Sequence, residues 1–187
     1  MGFVGGEQTG LVLQERRIKR MVFEGAPYAF RFDDIDIAIG CRVEKSVASF
    51  GDFTFYLATN GFRMVQGGAQ IIQIGDGKVD KWIESNLNQA YKDRCSAAID
   101  PIRKLYIFAF PSGASGGNPD MVLMYHWPSA RWSRAIQSVE FIYTAIVQAG
   151  VTIDGLASYS STIDGIPYVV DSPFWSGSGR LFFAGFD

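Results

Sequence analysis

The sequence predicts an all-β protein, a propeller-like array of short antiparallel strands with tight hairpins and one short helical crossover. Three observations predict it. A small-residue strand, a tight turn and an aromatic strand occur together twice, as SVASFGDFTFYLATNGF from Ser46 and as SAAIDPIRKLYIFAFPS from Ser96. A period of roughly fifty residues with several short strands per repeat belongs to propellers and related arrays. The chain holds 15 Phe, 8 Tyr and 4 Trp, side chains that suit pleated surfaces. Turn signals punctuate the apolar runs, the clearest being Asn60-Gly61 between FTFYLAT and FRMVQ, a strong hairpin pair because both residues tolerate positive φ.

The elements follow in order. Residues 1–10 are glycine-rich and read as a loop or a loosely ordered entry. LVLQE, IKRMVFEG and YAFRFDDI read as strands, broken most clearly at Gly25-Ala26-Pro27, since proline cannot donate to a central ladder. IAIGCRVEKSVASF follows, with Gly40 marking a bulge. From Ser46 to Ile74, four strands are separated by Gly51-Asp52, Asn60-Gly61 and Gly67-Gly68. In GDGKVDKWIESNLNQAYKDR, Val79, Trp82, Ile83 and Leu87 fall at helical spacing, which predicts a short helix or irregular crossover. A second unit from Cys95 contains SAAID, LYIFAFPS, the flexible glycine-serine loop around Gly113 to Gly117, MVLMYHW and RWSRAIQ. EFIYTAIVQAG is a further strand, and TIDG recurs at Thr152 and Thr162 as strand end and turn. The final stretch gives two more strands around Gly177 to Gly179. The apolar LFFAGF segment needs a pairing partner, either the LVLQE strand or a neighbouring subunit. The whole is read as a single domain, 1–187, with repeat units at about 46–74 and 95–137 and flanking strands at 11–45 and 139–187.

Composition narrows the function classes. A 48% hydrophobic chain is not disordered, and 19% charged residues is below the usual quarter, as expected for a surface that packs within an oligomer. A net charge of −2 argues against non-specific nucleic-acid binding by the chain as a whole. The one basic cluster, Glu15 to Arg20, reads as a solvated edge strand whose charges block unwanted pairing. Two cysteines, Cys41 and Cys95, make no disulfide framework and read as buried thiols. MGFVGGEQTG lacks the basic and apolar regions of a signal peptide, and no apolar run is long enough for a membrane span, so the expectation is a protein used without secretion.

No constellation selects a catalytic, cofactor or metal site. His126 is the sole histidine and sits among aromatic neighbours, where a structural role is favoured over a triad or zinc site. Asp33, Asp34 and Asp36 are weighed as a cation site against a solvated edge, and the edge is favoured. Asp52, Asp76, Asp80, Asp100 and Asp120 all fall at turns, and nothing selects a glycosidase pair among them. Trp82, Trp127, Trp132 and Trp175 are read as packing residues before sugar platforms.

Two stretches carry a resemblance. FTFYLATNGFRMVQGG leads into IGDGKVDKW, and IDPIRKLYIFAFPS leads into PDMVLMYHWPSARWSRA. Through Asn60-Gly61-Phe62, Lys78-Val79-Asp80, Asp100-Pro101, Pro111-Ser112, Tyr125 and Trp132-Ser133, the chain resembles the β-propeller tail and head-to-tail connector proteins of tailed bacteriophages over roughly residues 40–187. His126 stands where those proteins more usually have Asn, and the chain is shorter than the nozzle type. The resemblance implies a structural virion protein without enzymatic activity, assembled in the bacterial host cytoplasm. It would form a homo-oligomeric ring, nozzle- or adaptor-like, that lines or plugs the DNA path, passes DNA without specific binding and contacts other tail or connector proteins. Trp127, Trp132 and Trp175 are the expected interface or packing residues, with Gly113 and Gly116 on the expected contact loop. The alternatives are a carbohydrate-binding β-propeller module and, behind it, a glycoside hydrolase fragment.

Overall fold

The computed structural model describes residues 2–5, 9–145, 160, 162 and 180–184. It is all-β, and every paired strand runs antiparallel to its neighbours. Sheet 1 joins β1 (Gly2–Gly5), β2 (Thr9–Leu13), β3 (Ile18–Phe23) and β4 (Phe30–Asp36). Sheet 2 joins β5 (Cys41–Phe50), β6 (Phe53–Ala58), β7 (Gly61–Gln66) and β8 (Gln70–Gln73). A helix, α1 (Asp80–Asn86), and a 3-10 turn, Gln89–Arg94, cross to sheet 3, which joins β9 (Ser96–Asp100), β10 (Leu105–Phe110), β11 (Met121–His126) and β12 (Arg131–Ile136). β13 (Phe141–Ala145) pairs with β14 (Arg180–Ala184) in a two-stranded sheet 4. Each four-stranded sheet is a meander in sequence order. The first strands lie side by side, β1 next to β5, β5 next to β9 and β9 next to β13.

The two most apolar strands explain the arrangement. β6 and β10 are buried on nearly every residue, because both faces of sheets 2 and 3 are covered. Alternate side chains divide between the layers. Phe55, Leu57, Phe62 and Met64 of sheet 2 meet Tyr106, Phe108, Phe110, Leu123 and Tyr125 of sheet 3 in the largest core. Tyr56, Ala58 and Val65, on the opposite face of sheet 2, meet Leu11, Leu13 and Ile18 of sheet 1. Ile107, Ala109 and Val122, on the opposite face of sheet 3, meet Val139 and Ile142. A strand covered on both sides reads as a continuous apolar run, as FTFYLA and LYIFAF do.

Several expectations are corrected. The glycine-rich start is not a loop: β1 pairs with β2 from Gly2↔Leu13 to Gly5↔Gly10. Its glycines serve close packing, since a Cβ at Gly2 would crowd Val47 and one at Gly10 would crowd Met21 and Phe3. β3, which holds Lys19 and Arg20, is no edge strand, because β2 and β4 flank it. Its charges are matched across the ladder, Lys19 opposite Asp34 and Arg20 opposite Asp33. β14 pairs with β13 and not with the LVLQE strand, whose two edges are taken by β1 and β3. β5 begins at Cys41, ahead of the expected SVASF start. It is irregular between Cys41 and Ala48, where the Ser46 hydroxyl donates to the Val43 carbonyl at 2.6 Å and accepts from the Leu57 N–H at 2.8 Å. A side chain replaces the ladder bond that the bulge removes. Gly40 precedes this strand in a position where a Cβ would collide with the backbone of Gln14.

Phe108→Ala should lower the free energy of unfolding by about 3–5 kcal/mol, as expected for an aromatic buried between two layers. Ile136→Ala, at an exposed site on β12, should stay within about 0.5 kcal/mol. Denaturant unfolding of both variants beside the parent checks the pair.

Candidate interaction site

The residues that sequence reasoning singled out converge on the joint between sheets 2 and 3. Gly75 lies two residues past β8, and its carbonyl accepts from the N–H groups of Lys78, Val79 and Asp80 at 2.9–3.2 Å, which starts α1. Ile83 and Leu87 are buried on the core side of this crossover, and Trp82 meets Phe110 edge-on at 5.9 Å. The first turn thereby aims Asp80 back at sheet 2. One oxygen of Asp80, Oδ1, accepts from the Phe62 N–H at 2.9 Å, and Phe62 O accepts from the Ile74 N–H at 3.1 Å. A Cβ at Gly61 or Gly75 would fall on this carboxylate, and Gly61 also holds φ +124°, which favours glycine. Asn60 has no positive φ. The tight turn is therefore Thr59-Asn60, and Gly61 is the first residue of β7 rather than half of the expected Asn-Gly turn.

Sheet 3 locks onto the same point. Trp132 on β12 donates its indole N–H to Ile74 O at 2.8 Å, and its ring lies 4.8 Å from both Phe62 and Tyr125. Lys78 donates to the carbonyl of Ala130 in the β11–β12 turn. Trp127, in the same turn, packs against Phe50, Phe53 and Phe55 at 5.4–6.5 Å. The buried Tyr106 hydroxyl donates to Ser46 O at 2.8 Å. Trp127 and Trp132 are thus half-buried members of the joint, and Trp175 lies outside the described residues.

Gly113 and Gly116 are exposed on the loop between β10 and β11. The base of that loop is fastened. Ser112 donates through its N–H and hydroxyl to Asp120, both at 2.7 Å, and the Leu87–Ser112 bridge ties it to the crossover. Tyr91 lies against Gly117, and Arg94 covers the Tyr91 ring and donates to Asn118.

The rejected constellations have ordinary partners. Asp33 pairs with Arg20 and Arg31, Asp34 with Lys19, and Asp36 with Arg63. Among the described residues no group of acidic, histidine and cysteine side chains could hold a metal ion. Asp100 accepts from the N–H groups of Ile102 and Arg103 within its turn. Asp52 lines a cleft of about 610 Å³ between sheets 1 and 2, while Asp76 and Asp80 line another of about 580 Å³ beside α1. His126 Nδ1 lies 2.6 Å from Ser129 Oγ across the β11–β12 turn. Cys41 and Cys95 are free and buried, and burial pushes the Cys95 thiol up to about 12. Asp154 and Asp164 of the TIDG copies lie outside the described residues.

Sequence reasoning missed the role of Asp80, which it placed among the turn aspartates and in the Lys78-Val79-Asp80 part of the resemblance without giving it a contact. The signal that could have found it is a glycine just past the preceding strand and an aspartate opening the helix, with a second glycine at the hairpin opposite. No family model matches the chain, and no curated protein matches it.

Burial pushes the Asp80 carboxyl above its ordinary value, partly opposed by the Phe62 N–H and reinforced by Asp76. The folded state then takes up this proton at a higher pH than the unfolded chain. Asp80 therefore adds stability as pH falls through its raised pKa and loses that contribution above it. Asp33 runs the other way: the bonds from Arg20 and Arg31 depress its pKa, so its contribution is lost as pH falls through that value. Lowering the pH from neutrality to about 4 should improve the parent relative to Asp80→Asn, as read by the difference in denaturation midpoint. Gly75→Ala and Asp80→Ala should each cost about 1–3 kcal/mol by leaving the Phe62 N–H without its acceptor. The double variant should cost no more than Asp80→Ala alone, since the new methyl fills the space the carboxylate vacates. A double-mutant cycle by chemical denaturation checks this.

Proposed function

We propose that the chain is a structural subunit of the virion of a tailed bacteriophage or prophage, one protomer of a tail or head-to-tail connector ring that lines or plugs the DNA path. One observation carries the reading. Phe62, Lys78, Asp80, Tyr125 and Trp132, which carry the resemblance to those proteins, all meet in one joint between sheets 2 and 3. The resemblance therefore rests on residues that act together. Meanders whose first strands lie side by side further support a propeller-like arrangement, in which blades fan from an axis.

The mechanism in this reading is mechanical. Layers joined by interlocked aromatic side chains resist bending, because a close-packed interior has few voids into which to deform. The turns and the fastened loop at 111–120 present fixed surfaces to neighbouring subunits. Gly113 and Gly116 are the contact points on that loop, and DNA passes without specific binding.

Light scattering at two protein concentrations tests the proposal. A stable high-order oligomer, or assembly that increases with concentration, is expected; a particle that stays at 20.6 kDa contradicts it.

The cleft between sheets 1 and 2 favours a second reading, a carbohydrate-binding module. It combines the ring of Phe50 with the polar side chains of Ser49, Asp52 and Thr54, and Trp127 lies 6.5 Å from Phe50. On that reading, a glycan panel gives a saturable change in tryptophan fluorescence that Phe50→Ala abolishes. A flat response across the panel removes it.

A further inference from the structure

Sheet 1 closes one end of the stack with an apolar face that no described residue covers. The register assigns side chains to its two faces. Val4, Leu11, Arg20 and Asp33 form one cross-strand row, and Val4 and Leu11 pack towards sheet 2. The adjacent rows therefore point outward: Phe3, Val12, Lys19 and Asp34 in one, Gly10, Met21 and Phe32 in the next, Phe23 and Phe30 in the third. Phe3 and Phe23 are 61% and 66% exposed, Phe30 and Phe32 48% and 53%. At roughly 200 Å² per phenylalanine, the four rings alone leave on the order of 450 Å² of apolar surface open. The largest apolar patch of a soluble monomer is about 300–600 Å² and is often functional, and each side of a standard protein interface buries about 800 Å², of which these rings would form the core. The charged border of the face is already neutralised, with Lys19 and Asp34 paired at 3.4 Å, so covering it leaves no unmatched charge.

The opposite end of the stack offers the matching surface. On β13, Ile142 and Thr144 bond to Ser96 and Ile99 of sheet 3, so Phe141 and Tyr143 face away from it. Both are more than two-fifths exposed, and their rings stack at 6.3 Å. Every sheet-to-sheet contact inside the chain repeats one rule: an apolar face meets an apolar face, with first strand beside first strand. We infer that the outer face of sheet 1 docks on the Phe141–Tyr143 face of β13 of a second copy of this chain, which continues that rule across the subunit boundary. The inference rests on the subunit reading above and deepens it by naming the two surfaces. The contact is head-to-tail. It uses a different face on each copy, and it closes into a ring only if the rotation per copy divides a full turn.

Two capping variants test it. Phe32→Asp blocks the sheet 1 face, and Tyr143→Asp blocks the β13 face. Each variant alone should be monomeric at concentrations where the parent assembles. Mixed, they should form a one-to-one pair and nothing larger, because only one intact contact remains between them. Circular dichroism checks that each is folded, and Phe32→Thr, which retains strand preference, replaces the aspartate if it is not. Three results would overturn the inference: no pair in the mixture, parent-like assembly by Phe32→Asp, or self-association by Tyr143→Asp alone, which would mean that sheet 1 faces pair with each other. A parent that forms closed rings indifferent to both substitutions leaves the ring reading standing and removes this contact. A parent that forms open chains, with the mixed pair intact, keeps this contact and removes the ring.

Discussion

The carboxylate of Asp80 is the point on which the arrangement of sheets depends. It is held by a backbone N–H of sheet 2, projects from the helix that leads into sheet 3, and lies where Gly61 and Gly75 leave room for it. Trp132 approaches the same corner from sheet 3 through Ile74 O. Remove this corner and the crossover keeps the burial of Ile83 and Leu87, the Leu87–Ser112 bridge and the Lys78 bond to Ala130 O, but loses its bond to the sheet 2 hairpin. Burial is strong but non-directional. The hydrogen bonds fix the angle at which one meander is laid on the next.

That angle sets what the chain can present outward. Because sheets 2 and 3 are each covered on both faces, the exposed aromatic clusters among the described residues lie on sheet 1 and on β13. A fold built by repeated layering has no intrinsic reason to stop at its last layer. What prevents indiscriminate association is the detail of each face, such as the Lys19–Asp34 pair bordering the phenylalanines of sheet 1. The same physics that joins sheets within the chain supplies the surface chemistry of a subunit.

Much of the fold was legible in local pattern. FTFYLA and LYIFAF announced strands, and the spacing of Val79, Trp82, Ile83 and Leu87 announced the crossover helix, which buries Ile83 and is followed at once by the buried Leu87. What was illegible depended on distant partners. The glycines of β1 and β2 looked like a loop because nothing local shows that Val47 presses on Gly2 and Met21 on Gly10. Lys19 and Arg20 looked like an edge because their partners, Asp34 and Asp33, come from another strand. Asp80 looked like one turn aspartate among several because its acceptor role needs Phe62 from across the hairpin. Trp132 was placed correctly on its strand, whereas Trp127, read as the end of MVLMYHW, falls in the turn after β11; whether either would face a core or a partner was a question of the third dimension.

The central claim is that the Asp80 corner makes sheets 2 and 3 one cooperative unit. Native-state hydrogen exchange at the Phe62 amide tests it most directly, with the Ile107 amide at the centre of sheet 3 as the reference. The account predicts that the two amides exchange with the same free energy of opening, that of global unfolding. A Phe62 amide that exchanges through a smaller, local opening while Ile107 stays protected would mean that the corner opens on its own, and the sheets would then be held together without it.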